Sequence, residues 1–136
     1  MIVEAYTDGS CQGNPGPAGW AAVLSTGEEY SGFIGNGTNN IAELEAIFQV
    51  IARIDNQIEL IIYTDSQLVI GWLQEDYAIN MEHIRLRVSN IKNLIISKQI
   101  NFKLKKVKAH ADNHLNNRAD KLAKNAIKKG LKQQLI

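Results

Sequence analysis

Near Asn40 the sequence changes from short strand-like runs to apolar residues at helical spacing. Before that point, Ile2–Ser10, Gly19–Ser25 and Tyr30–Gly35 read as three short strands. They are separated by the breaker-rich turn Asn14-Pro15-Gly16-Pro17 and by Thr26-Gly27-Glu28. Gly35–Asn40 reads as a Gly/Asn loop. After it, Ala42, Ala46, Ile47, Val50, Ile51 and Ile54 form one apolar stripe, with Glu45, Gln49 and Arg53 on the other side. The pattern predicts a helix over Asn40–Ile54, with Asn39 or Asn40 as its N-cap. Further on come a strand at Glu59–Thr64, a helix at Ser66–Glu75 capped by Asp65 or Ser66, and a helix at Glu82–Ser97. A strand at Ile100–Val107, a loop from Ala109 to His114 and a helix at Leu115–Gly130 complete the order. In the last helix Leu115, Ala119, Leu122, Ala123, Ala126 and Ile127 make the apolar side. Three strands joined by short turns imply an antiparallel meander, and the later strand–helix–strand units imply parallel additions. The expected fold class is α/β, a mixed sheet with helices on its faces.

The chain has 136 residues, 45% of them hydrophobic, which suits a single domain over 1–136 with one core. Its one cysteine, Cys11, excludes an internal disulfide. A lone cysteine without a signal peptide fits a reducing, cytoplasmic setting. No stretch approaches the length of a membrane span. Net charge is only +1, but it is unevenly spread. Residues 1–97 hold four Lys/Arg against twelve Asp/Glu, and residues 98–136 hold eleven against two. A basic final third invites a polyanion, although charge alone favours a solvated helix face plus a charged tail.

Four carboxylates stand where apolar residues are expected. Asp8 ends a strand and shares a face with Tyr6; Asp65 ends another and shares a face with Ile61 and Tyr63. Glu43 lies on the inward stripe that continues through Ile47, Val50 and Ile54. Asp120 aligns with Ala123 and Ile127. Each has an ordinary explanation when taken alone. Asp8-Gly9 can be a turn and Asp65 a cap. Glu43 can answer the helix dipole, and Asp120 can pair with Lys124. Together, in one cleft, they would repel by roughly 4 kcal/mol per close pair at an effective dielectric near 20. Divalent cations relieve that repulsion. Oxygen ligands without a His/Cys cluster point to Mg²⁺, with Mn²⁺ as substitute, rather than zinc. Two such ions about 3.5–4 Å apart suit phosphodiester hydrolysis.

The string Thr7-Asp8-Gly9-Ser10-Cys11-Gln12-Gly13-Asn14-Pro15-Gly16-Pro17 closely resembles the opening motif of type 1 ribonuclease H. Three further blocks fit that family in order: Thr38-Asn39-Asn40-Ile41-Ala42-Glu43, Thr64-Asp65-Ser66-Gln67, and Val107-Lys108-Ala109-His110 with Asn116 to Asp120. The resemblance covers essentially the whole chain. It implies a ribonuclease H-like fold, a five-stranded mixed sheet whose first three strands are antiparallel, with helices on both faces. It implies hydrolysis of the RNA strand of an RNA–DNA hybrid with two Mg²⁺ ions, leaving 5′-phosphate and 3′-hydroxyl ends. Asp8, Glu43, Asp65 and Asp120 match its metal-binding carboxylates. His110 matches a loop histidine that assists proton transfer or product release, a task suited to a near-neutral pKa.

By the same resemblance, Cys11, Asn14, Asn39 and Gln67 match contacts to the hybrid's minor groove, where 2′-hydroxyls mark the RNA strand. Thr38 matches part of a pocket that grips a DNA phosphate. Such contacts fix register without reading bases, so cleavage is expected to be largely sequence-independent. A monomer is expected. Two departures stand out. Asn36 occupies a place where many family members carry arginine. The segment Gln74-Glu75-Asp76-Tyr77-Ala78-Ile79-Asn80 is short and acidic where several bacterial members insert a basic protrusion, so the chain resembles the subgroup without it. The competing readings are a catalytically silent hybrid-binding domain and another nuclease of the same fold.

Overall fold

The structure is a computed structural model that describes residues 1–108 and 113–135. Its elements are β1 (Ile2–Cys11), β2 (Gly16–Leu24), β3 (Glu29–Gly37), α1 (Asn39–Arg53), β4 (Glu59–Thr64), α2 (Gln67–Gln74), α3 (Glu82–Ser97), β5 (Asn101–Lys106) and α4 (His114–Gln134). The strands form one sheet in the order β3-β2-β1-β4-β5. β2 runs antiparallel to both β1 and β3, while β4 lies parallel to both β1 and β5. This is the expected mixed sheet.

Both sheet faces carry helices, and the strand register shows which residues face which helix. On one face, Val3, Ala5, Ala22, Leu24, Leu60 and Ile62 pack with Leu44, Ile47, Val50 and Ile51 of α1 and with Val69, Ile84, Val88 and Ile91 of α2 and α3. Each fully buried aliphatic side chain there contributes about 1.5–3 kcal/mol. On the other face, α4 lies across β1, β2 and β3. Gly19 backs directly onto Ala123 and Ile127 of α4, and Gly130 of α4 leaves the space that the Phe33 ring fills. Trp20 and Trp72 are both core residues, each 6% exposed.

Several element ends differ from the sequence reading. β1 runs past Asp8 to Cys11, so Asp8 sits inside a strand rather than at its end. Pairing with β2 as far as Cys11↔Ala18 holds it extended. β3 continues to Gly37 because Gly16↔Gly37 and Pro17↔Asn36 still pair, which leaves only Thr38 of the expected Gly/Asn loop. The N-cap of α1 is Thr38, not Asn39 or Asn40: its hydroxyl accepts from the Ile41 amide at 3.2 Å. Of the two candidates for the α2 cap, Ser66 is the one used. Helix α4 starts at His114, capped by Asn113, and extends to Gln134. Leu115 is exposed rather than core, because Asn116 takes the inward position of that first turn. No helix of the described residues is long and apolar enough to cross a membrane.

Lys98, just after α3, closes the far end of α1. Its ammonium donates to the carbonyls of Ile51 at 2.7 Å, Ala52 at 3.3 Å and Ile54. A cation at a helix C-terminus meets both the orphan carbonyls and the dipole there. The helix that carries Glu43 is thus capped by Thr38 at one end and by Lys98 at the other.

Candidate active site

The site forms where β1, β4 and the N-terminal half of α1 meet. β1 and β4 are parallel and in register through Tyr6↔Tyr63. Asp8 and Asp65 each lie two residues beyond that pair, so the register carries them to the same level and the same face. Below them the Tyr6 and Tyr63 rings stack, with centroids 4.6 Å apart. Tyr63 also donates to Glu4 at 2.5 Å. Glu43 enters from α1. Carboxylate oxygens of Asp8, Glu43 and Asp65 all lie within 4.8 Å of one another. Asp8 and Glu43 are each 6% exposed, while Asp65 is half-buried.

Gly9 explains how Glu43 gets so close. A Cβ at this position would stand 2.5 Å from the Glu43 amide nitrogen and 2.6 Å from the Ala42 carbonyl carbon. Only glycine lets the backbone of α1 rest directly on β1. The same residue donates its amide to Glu43 Oε1 at 3.0 Å. Gly9→Ala is therefore expected to push α1 off the strand and to lower catalytic turnover by roughly 10–100-fold, the scale for misplacing a reacting group by about 1 Å. Steady-state kinetics beside a melting curve checks this. Unchanged turnover would show that the close approach does not set the site.

The electrostatics are those of crowded acids. Burial is the main cause that raises the Asp8 pKa from 3.8 to about 8, with Asp65 adding to it. Burial likewise pushes Glu43 well above the ordinary glutamate value, followed by repulsion from Asp8 and Asp65. A buried, unpaired carboxylate prefers its proton. A divalent cation among these oxygens would replace the proton and balance the charge. The donor set, three convergent carboxylates, fits a hard, oxygen-seeking ion.

Asp120 lies beside this triad rather than within it. It is near enough to Asp8 to help raise that carboxyl's pKa. It also pairs with Lys124 Nζ at 3.1 Å, one turn along α4. The helix pair with Lys124 is thus present, while the group of converging carboxylates is Asp8, Glu43 and Asp65 without Asp120. His110 lies outside the described residues. His83 and His114 are exposed and away from the triad's residues in sequence.

The residues expected to touch substrate fall into two groups. Asn14, Thr38 and Asn39 are brought together: Asn14 Oδ1 accepts from the Asn39 amide at 2.9 Å, beside the Thr38 cap. Cys11 is half-buried beside them, with its thiol 3.4 Å from the Gly37 carbonyl and 3.6 Å from that of Gly16. Gln67 opens α2, two residues after Asp65. It is exposed, and its amide donates to Glu75 at 3.0 Å. Sequence reasoning passed over Asn116, a buried polar residue 5% exposed at the start of α4. It also passed over the role of Gly9, for which the only signal was a glycine directly after a strand aspartate.

A mixed five-stranded sheet with acids from two adjacent parallel strands and one helix gathered together defines a carboxylate-lined class of site that could hold a metal ion. The comparisons narrow that class. The RNase H family profile matches residues 1–128. Ribonuclease H of Thermoanaerobacter sp. (strain X514) is 42% identical over 145 aligned positions, covering 97% of this chain and 94% of that protein. Ribonuclease H of Acetivibrio thermocellus is 35% identical, covering 96% and 98%. Among solved structures, RNase H1 from Halobacterium salinarum NRC-1 superposes with a TM-score of 0.81 at 29% identity, covering 95% of this chain and 99% of that one. LC11-RNase H1 in complex with an RNA/DNA hybrid gives 0.79 at 29% identity with the same coverage. The chain belongs to the ribonuclease H family.

Proposed function

We propose that this chain, as one catalytic domain over residues 1–136, hydrolyses the RNA strand of RNA–DNA hybrids. The carrying observation is the convergence of Asp8, Glu43 and Asp65 within 4.8 Å. Asp8, Glu43, Asp65 and Asp120 would hold two Mg²⁺ ions, with Mn²⁺ able to replace them. When bound, such ions supply Lewis-acid charge that polarises a phosphoryl oxygen and lowers the pKa of water.

The chain's own residues do the rest by positioning. Gly9 and the β1–β4 register hold the carboxylates in fixed relation, so little reorganisation is needed at the moment of reaction. Cys11, Asn14, Asn39 and Gln67 offer short polar groups for minor-groove contacts, including 2′-hydroxyls. Thr38 stands at the N-terminus of α1, where helix amide groups favour a phosphate. None of these groups reads base edges, so cutting is largely sequence-independent and leaves 5′-phosphate and 3′-hydroxyl ends. His110 is assigned to proton transfer or product release by resemblance alone. The protein would act as a cytoplasmic monomer.

The test is a substrate panel of hybrid, duplex DNA, duplex RNA and Holliday junction, run in Mg²⁺ and in Mn²⁺. The hybrid alone should be cut efficiently. Preferential cutting of the junction or of duplex DNA would assign the site to another nuclease reaction.

A further inference from the structure

Thr64 ends β4 one residue before Asp65 and is fully buried. Its hydroxyl makes two bonds. The Ser66 amide lies 3.2 Å from Thr64 Oγ1, and Glu43 Oε2 lies 3.4 Å from it. An amide N–H can only donate, so the threonine oxygen accepts from Ser66. A hydroxyl has a single proton, and here that proton is left for Glu43. The other Glu43 oxygen accepts from the Gly9 amide at 3.0 Å. The Glu43 carboxylate is thus gripped once on each oxygen, from β1 on one side and from β4 on the other.

The Ser66 bond does a second job. It bridges the peptide that carries Asp65, immediately before Ser66 caps α2. One hydroxyl therefore ties the turn bearing Asp65 to the head of Glu43. A comparison lies within the same chain. Thr7 precedes Asp8 as Thr64 precedes Asp65, and it too is fully buried. Yet the Thr7 hydroxyl has no hydrogen-bond partner among the described residues. Of these two matched threonines, only Thr64 is connected to the carboxylates.

We propose that Thr64 is a positioning residue, whose hydroxyl sets Glu43 and Asp65 relative to each other so that both face one cation. This rests on the reading of the triad as a metal site. The ordinary alternative is that Thr64 is a β-branched strand residue valued for its methyl group. Valine keeps that shape and removes the hydroxyl, whereas serine keeps the hydroxyl and removes the methyl.

The experiment compares Thr64→Val, Thr64→Ser and Thr7→Val with the wild-type chain. Mn²⁺ affinity is read by titration calorimetry, kcat and KM on a hybrid are read in Mg²⁺, and folding is read by thermal melting. Thr64→Val should weaken Mn²⁺ binding and lower kcat by about 10–100-fold, the usual effect of losing a partner that orients a metal ligand. KM should stay within about twofold, since the substrate contacts are untouched. Thr64→Ser should recover most of the loss, and Thr7→Val should match wild type in both readouts. Wild-type Mn²⁺ affinity and kcat in Thr64→Val would overturn the proposal, and so would a Thr64→Ser variant as impaired as Thr64→Val. A wild-type chain that binds Mn²⁺ but cuts no hybrid would sink the functional reading alone, and the calorimetry would still decide Thr64. A wild-type chain that binds no Mn²⁺ would overturn both.

Discussion

Asp8→Asn is expected to lower hybrid cleavage by roughly 10³-fold or more while leaving the protein folded, at the upper end of losses seen when one preorganised electrostatic group is removed. Asparagine has the shape of aspartate, so the strand pairing around Asp8↔Ala21 should survive. What disappears is one of the three converging carboxylates and the negative charge it can carry. The same change removes an acid that is 6% exposed and crowded by Asp65 and Glu43. The metal-free variant should therefore melt at least as high as the wild-type chain at neutral pH. Cleavage rate and melting temperature would move in opposite directions, a combination that general damage to the fold does not produce. An Asp8→Asn protein that cuts at the wild-type rate would remove Asp8 from the chemistry.

The second large effect is a reversed pH dependence of stability. Asp8 has its pKa raised from 3.8 to about 8, mainly by burial, and Glu43 moves in the same direction. In the unfolded chain these acids ionise near their ordinary values. In the folded, metal-free protein they keep their protons until higher pH. The unfolded state thus gives up protons first, and ionisation favours unfolding. The Asp8 contribution to stability is complete below about pH 4 and is lost as pH rises through about 8, and Glu43 acts in the same direction. Other carboxylates act in the opposite sense: Glu29, whose pKa is lowered by Arg118, loses stability as acid is added. The prediction therefore concerns the difference between wild type and Asp8→Asn. The wild-type chain in a chelator should lose on the order of 10 °C of melting temperature relative to the variant between pH 5 and pH 8. Saturating Mn²⁺ or Mg²⁺ should restore it at pH 8, with release of protons, because the ion takes the place they held. Equal pH profiles for the two proteins would mean that Asp8 is not a crowded acid.

Much of the fold could be read from local pattern. The apolar stripe from Ala42 to Ile51 identified α1 because that one side of the helix packs against the sheet and against α2 and α3. The ends were less legible, since tertiary contacts decide them. Thr38 rather than Asn39 caps α1, and the Asn39 amide is instead met by Asn14 from the β1–β2 turn, a partner 25 residues away. Leu115 looked like a core residue from its spacing, but Asn116 occupies the inward place.

The candidate site was legible as a set of misplaced acids and illegible as a geometry. Asp8 and Asp65 meet only because β4 lies beside β1, on the side away from β2, and runs parallel to it. No local pattern announces that crossover. Glu43 joins them because Gly9 has no side chain. Asp120 reads in the sequence as a helix partner of Lys124 or as a fourth carboxylate; in the folded chain it pairs with Lys124 and lies beside the three converging carboxylates. Charge distribution was the weakest guide. The lysines of β5 and α4 are largely exposed, and their spacing alone does not separate a nucleic-acid face from a solvated one.

The most direct measurement labels each strand of an RNA–DNA hybrid separately and follows both during incubation with the wild-type chain in Mg²⁺, with a chelator control. Only the RNA strand should shorten, the new ends should be 5′-phosphate and 3′-hydroxyl, and the chelator should stop the reaction. A hybrid whose RNA strand stays intact in both Mg²⁺ and Mn²⁺, or whose DNA strand is the one cut, would contradict the proposed function.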